Sequence, residues 1–318
     1  MSSTYRAAAG PAIPPGESHG GDGARVARAL GLGPDAMLDL SASMNPVAPD
    51  VCSVVSRHLP EIGRYPDAGT ATSVLAEVLG VDPDRVLLTN GGAEAIALVA
   101  AELGDGVVDR TEFSLYARHL GRTDSGGRWR SDPHNPSGTL ARVEEVAQVW
   151  DEAFYPLATG RWTSGRAETG AIVLGSLTKV FACPGLRLGY VLAPRAGGSE
   201  LIQRLSQRQP RWSVNGLACA AVPELLTSAT LPSWAAQIVR LRRDLVVLLR
   251  EFGFTPSTSS AANYVLVADA HGLRERLAVH GVLVRDCTSF GLGGSVRIAV
   301  PHDAGRAKLA LALSQACE

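Results

Sequence analysis

The stretch GSLTKVFACPGLRLGYVLAP, residues 175–194, restricts the possible folds more than any other. It grows out of the apolar run GAIVLGS (170–176) and contains a second, RLGYVLA (187–193). Both read as buried strands, close enough to be neighbours in one sheet. Between them stands Lys179, flanked by Ser176 and Thr178 and followed by Arg187. α/β proteins place their sites where strands end. A lysine used as an amine nucleophile must be held out of bulk water, so that it can be neutral when it attacks. Two hydroxyls and a guanidinium beside it make a phosphate site. A solvated lysine in a polar loop fits the same letters.

Other segments follow the same alternation of strand, turn and helix. RVLLTNGGAEAIALVAAEL (85–103) predicts a short strand, a glycine turn and a helix, and GVVDRTEFSLY (106–116) a strand with its loop. SVLAEVLGV (73–81) has helical spacing. Residues 121–138, GRTDSGGRWRSDPHNPSG, carry no strand-like apolar run, and VEEVAQVWDEAF (143–154) reads as a brief helix or strand ending at Asp151. From about Leu231 the texture changes to a long helix (234–253), then strand 263–269, helix 272–281, strands 282–286 and 295–300, and a last helix (304–316). That is a compact α+β unit. The expected organisation is an arm with part of the small domain (1–38), a large domain (39–230) and a small C-terminal domain (231–318).

Charge and composition exclude several classes. Net charge is −1, so no broad nucleic-acid or anionic-membrane surface is indicated. No apolar run approaches the roughly 20 residues of a membrane helix. MSSTYRAAAGPAIPPGES lacks the apolar core of a signal peptide and reads as a mobile arm. Five scattered cysteines form neither a zinc pattern nor a disulfide framework. No metal is expected, and a reducing cytoplasm is the simplest compartment.

Three more elements carry possible chemistry. In TNGGAEAI (89–96), Gly91, Gly92 and Ala93 open a helix whose free N–H groups suit a phosphate, although an ordinary strand–helix turn looks the same. Asp151 ends an apolar stretch, where a carboxylate is costly unless paired; a pyridinium nitrogen is one such partner, and plain exposure is the alternative. Asn135, in HNPSG, offers an amide to a ring oxygen or simply makes a turn. A phosphate cradle, an amide, an acid and an amine together match the needs of pyridoxal 5′-phosphate, and their agreement weighs more than any one of them.

At this point the chain resembles the class I/II pyridoxal-phosphate aminotransferases, in the branch of histidinol-phosphate aminotransferase and threonine-phosphate decarboxylase. The resemblance is carried by LDLSASMNP, RYPD (64–67), TNGGAEAI, NPSG, DEAF, SLTK, PGLRLGY, RWSVNGLA (211–218) and LVRDCTSFGL with VRIAV, and it covers nearly the whole chain from His19. It implies an α/β fold of type I: a mixed, mostly parallel seven-stranded sheet with helices on both faces, plus a smaller α+β domain. It also implies that Lys179 forms the Schiff base and that Asp151 pairs with the pyridine nitrogen. Asn135 contacts the ring oxygen and Phe113 stacks on the ring. Gly92, Ala93, Ser176 and Arg187 hold the phosphate. Tyr65 reaches the neighbouring subunit's site in a homodimer, and Arg297 takes the substrate carboxylate.

Several features bear on the reaction. HGGDG (19–23) resembles the decarboxylases' N-terminal motif, which makes His19 a ligand for a substrate phosphate, with Arg285 a further anion ligand. Phe154 stands where the aminotransferases usually have a tyrosine. The interval from Phe113 to Asp151 is shorter than usual, and VVDRTEF lacks the family's proline. The expected function is transamination of a phosphorylated amino acid or amine. Decarboxylation of a threonine-phosphate type substrate, in cobalamin side-chain synthesis, is the alternative. A degenerate fold that binds without turnover is a third reading.

Overall fold

The computed structural model describes residues 13–17 and 19–317. Most of the expected N-terminal arm therefore lies outside the described residues. Strand β1 (Leu38–Asp39) leads into the chain's larger half. There β2 (Val86–Asn90), β3 (Gly106–Val108), β4 (Gly127–Ser131), β5 (Val149–Asp151), β6 (Ile172–Gly175) and β7 (Leu188–Leu192) form one sheet in the order β2-β7-β6-β5-β4-β3. Strands β3 to β6 run parallel, and β7 is antiparallel to both neighbours. β6 and β7 are fully buried along their lengths, which is why both read as unbroken apolar runs. Apolar clusters cover both faces: one around Leu75, Trp150, Val173 and Val222, the other around Ile96, Val99, Trp129 and Leu174.

β8 (Thr255–Pro256), β9 (Tyr264–Ala268), β11 (Arg285–Asp286) and β12 (Val296–Ala299) make an antiparallel sheet, and β10 (Val282–Leu283) pairs with β1. The single run 282–286 thus serves two sheets. The expected boundary near residue 230 falls at the start of the helix Leu231–Glu251. Its first turns, with Trp234 and Ile238, pack in the larger core, and its later turns, with Leu241, Leu245 and Leu249, pack in the C-terminal one.

Two expectations about the middle of the chain need correction. Residues 127–131 do form a strand, and it lies inside the sheet. Its sequence, GRWRS, hid the alternation because only Trp129 is a large apolar residue. Arg128 and Arg130 occupy the alternate positions, paired with Asp109 at 2.6 Å and Glu145 at 2.7 Å. The sheet also has six strands among the described residues, where the resemblance implied seven. Between β3 and β4 the chain has room for one short helix, Ser114–His119. Arg122 and Thr123 instead offer carbonyls to Gly106 N and Val108 N, capping the outer edge of β3. An edge so occupied does not invite further pairing. The β4–β5 connection contains no helix, only turns.

Gly189 shows how tightly β7 meets the start of the helix Gly91–Leu103. A Cβ at Gly189 would lie 2.5 Å from the backbone carbon of Gly91, and backbone cannot rotate away. Gly189→Ala is expected to destabilise the protein by about 1–3 kcal/mol, as overpacking does, measured as a fall in the urea midpoint at unchanged slope.

Candidate active site

The ends of β5 and β6 lie side by side, with Asp151 opposite Leu174. Just beyond β6, Ser176 begins the helical turn Leu177–Val180 that carries Lys179. The helix Gly91–Leu103 starts where β2 ends. A cavity of about 640 Å³ opens between these termini. Gly92, Ala93, Ser176 and Arg187 line one part, and Phe113, Asp151, Lys179 and His19 another. A recess of about 120 Å³ leads on to Asn135, Phe154, Arg285 and Arg297. Of the twelve residues singled out from the sequence, eleven line these two spaces.

Lys179 Nζ donates to the carbonyl of Ala42 at 2.9 Å. Burial draws its pKa down to about 8, with help from the positive charges of Arg297 and Arg187. Asp151 accepts from Tyr116 Oη at 2.7 Å and from the amide of Ala153 at 3.0 Å. Burial pushes its carboxyl above the usual range, against the pull of Tyr116, the Ala153 amide and Lys179. A cation placed beside Asp151 would favour its charged form. The site thus places a buried carboxyl and a buried amine at the ends of neighbouring strands.

At the opposite end, Gly91 adopts φ +74°. A side chain there would strike the guanidinium of Arg187, so glycine lets Arg187 lie over the helix start. Arg187 itself sits at φ +58°, a left-handed conformation that is costly for a side-chain-bearing residue. Gly92, by contrast, has room for a methyl group; its contribution is its place at the N-terminus of a 13-residue helix. Backbone N–H groups, the Ser176 hydroxyl and Arg187 together form a donor set for a phosphate.

The recess is rich in positive charge. Arg285 and Arg297 are direct cross-strand partners on β11 and β12. Like charges so placed repel, and burial followed by Arg297 brings Arg285 down to about 10. Arg285 donates to the carbonyl of Glu17 at 2.8 Å and to Ser289 Oγ at 2.9 Å. Arg297 donates to Asn135 Oδ1 and to the carbonyl of Ser41 at 3.0 Å, and lies over the Tyr264 ring. With Oδ1 so engaged, the Nδ2 donors are the part of Asn135 left to the cavity. His19 packs edge-on against Phe113 at 5.1 Å, and its buried Nδ1 has no hydrogen-bond partner. Burial, then Arg285 and Arg118, hold the His19 pKa down.

Tyr65 is the one candidate that does not line the cavity. It is 78% exposed and stacks on Trp212 at 4.4 Å. The sequence reading also missed Tyr116, Asp39 and Arg118. Tyr116 lies three residues after Phe113, on the same side of a short helix, and that spacing was the available signal. Asp39 lines the cavity and accepts from Gly23 N and Ser41 N, which seats the His19 turn. Among the described residues no cluster of three or more His, Cys, Asp or Glu could hold a metal, and no helix is long and apolar enough to cross a membrane.

Comparison with known proteins places the chain in a family. A family profile described as aminotransferase class I and II matches residues 130–312, more than half of the chain. The histidinol-phosphate aminotransferase of Halorubrum lacusprofundi is 29% identical over 86% of this chain and 87% of that protein. The threonine-phosphate decarboxylase of Salmonella typhimurium is 28% identical over 93% of this chain and 95% of its own length. The solved histidinol-phosphate aminotransferase of Sinorhizobium meliloti, in complex with pyridoxal 5′-phosphate, superposes with a TM-score of 0.80 at 18% identity, covering 93% of this chain and 94% of that one. The profile covers more than half of the chain, and the chain belongs to the class I and II aminotransferases.

Proposed function

We propose that this chain is a pyridoxal-phosphate-dependent aminotransferase whose substrate is an amino acid or amine bearing a second anionic group, most simply a phosphate. The observation that carries the second half is the pair Arg285 and Arg297, opposed on adjacent strands and facing one recess beside His19. Two buried guanidinium groups in register are stabilised by anions between or beside them, and Asp151 is the one acid among the described residues that line the recess. Arg297 is the ligand for a carboxylate; His19, Arg285 and Arg118, which lines the cavity near His19, are ligands for the other anion.

The residues present fit the cofactor. Gly92, Ala93, Ser176 and Arg187 would hold its phosphate, Asp151 its ring nitrogen, Asn135 Nδ2 its ring oxygen and Phe113 its face. Bound pyridoxal 5′-phosphate supplies a conjugated ring that accepts the electrons of a broken bond at the substrate's Cα. Lys179 would hold the cofactor through its amine and, when free, would be the base that moves the proton at the substrate's Cα. Asp151 would face the ring nitrogen as its anionic partner, with Tyr116 Oη fixing the carboxylate. Phe154, 5.9 Å from Lys179 Nζ by its ring centroid, offers no proton and leaves the ring oxygen to Asn135. Dimerisation is part of this reading: Tyr65, Ile62 and Trp212 leave apolar surface exposed near one another in the chain's fold, and Tyr65 would complete a second copy's site.

A decarboxylase reading is favoured by one observation, the seating of His19 against Phe113 inside the cavity. Purified enzyme given histidinol phosphate and 2-oxoglutarate should form glutamate. Carbon dioxide from threonine phosphate, without glutamate in the first assay, would establish the decarboxylase instead.

Two further outcomes are expected. Lys179, with a pKa near 8, is about one-tenth neutral at pH 7 and mostly neutral at pH 9. Attachment of pyridoxal phosphate, followed by absorbance, should accelerate as pH rises towards 8 and level off above it; Lys179→Ala should show no attachment at any pH. Asp151→Ala should lower turnover by about 10²–10³-fold, the scale of a lost preorganised electrostatic partner, and unchanged turnover would remove Asp151 from that role.

A further inference from the structure

Behind Phe113, on the side away from the cavity, the preceding residue Glu112 is almost wholly buried. Burial pushes its carboxyl up to about 7, so this acid is kept in a dry place at a cost. Its Oε2 accepts from Ser131 N at 3.1 Å and from Ser131 Oγ at 2.6 Å. Its Oε1 lies 3.3 Å from Arg130 Nε and 4.0 Å from His134 Nε2. A serine hydroxyl has one proton. With that proton donated to Glu112, the oxygen's lone pairs are directed elsewhere, and they accept the amide of Asn135 at 2.9 Å. Asn135 Oδ1 in turn accepts from Arg297. The loop that carries Asn135 joins β4 to β5 without a helix, so its position depends on contacts from neighbouring elements.

We infer that Glu112 is a positioning residue of the active site: through the Ser131 hydroxyl it fixes the backbone of Asn135, and through Asn135 it sets the aim of Arg297. Glu112 touches neither cavity nor substrate. Its partner Arg130 is separately held by Glu145 at 2.7 Å, so balancing Arg130 does not by itself require it. The inference rests on the reading of Asn135 and Arg297 given above, and its test separates the two.

The first readout needs no cofactor. In the unloaded protein, amide exchange at Asn135 should quicken by about tenfold or more in Glu112→Ala and in Ser131→Ala, while Val173 and Leu174 keep parental protection. The second uses enzyme loaded with pyridoxal phosphate and assayed with histidinol phosphate and threonine phosphate. KM should rise about tenfold in each variant with a smaller change in kcat, and the double variant should be no worse than the poorer single one, because both break one chain of contacts. Glu112→Gln, which keeps an oxygen for Ser131 to donate to, should recover most of the loss. Parental Asn135 exchange in Glu112→Ala, or multiplicative KM effects, overturns the relay while leaving the functional reading intact. If Glu112→Ala does not fold, Glu112→Gln and Ser131→Ala decide by the same measurements, and parental values in Ser131→Ala overturn the relay. A parental chain that neither attaches pyridoxal phosphate at Lys179 nor processes either substrate overturns the functional reading, and the relay falls with it.

Discussion

Residues 41–45 form the short segment on which the two halves of the molecule close, and their backbone carbonyls are the constraint that the site depends on. Buried carbonyls must find donors. Ala42 O takes Lys179 Nζ, Ser41 O takes Arg297, and Ser43 O and Met44 O take Asn263 Nδ2. Asn45 Nδ2 donates to Val180 O, and Asn45 N to Lys179 O. One five-residue segment thus satisfies itself from the lysine turn after β6 and from the C-terminal sheet. Displacing it would move the amine and Arg297 together.

The charge balance around that segment is uneven. Lys179, Arg187, Arg285 and Arg297 face the cavity or its recess, and Asp151 and Asp39 are the acids that line it. Desolvation leads every resolved shift among the cations, and the arginines aggravate it for Lys179. Such a surplus is tolerable only where anions are to be bound. On the proposed reading, a phosphate at the helix start and an anionic substrate at the recess would relieve it at both ends. The unpartnered Nδ1 of His19 stands in the same account.

The shortened middle of the chain shows what this arrangement can lose. Where the resemblance implied a seventh strand, two carbonyls cap β3, and the β4–β5 connection is made of turns. Neither loss reaches the ends of β5 and β6, where the chemistry sits. The Asn135 loop is held by contacts from Glu112, Ser131 and Tyr264, whose hydroxyl donates to His134 O at 3.2 Å.

The local order of the chain determined much of this without tertiary information. Unbroken apolar runs marked β6 and β7, the glycine turn after β2 marked the helix start, and the amine and the acid stand at or just past the ends of such strands, whereas Asn135 lies in a loop. Signals of this kind survive in sequence because burial acts on consecutive residues. β4 did not survive, since ion pairs from Asp109 and Glu145 made its arginines compatible with a sheet, and those partners are 19 and 15 residues away. The same holds for the hydroxyl of Tyr116 on Asp151, for Glu112 behind Asn135 and for the two arginines in register: each is a meeting of distant side chains. Sequence by itself determined which groups stand at strand and helix ends. Only the tertiary structure decided which of them share one cavity, because a hydrogen bond or charge pair across the fold leaves no periodicity in the chain that makes it.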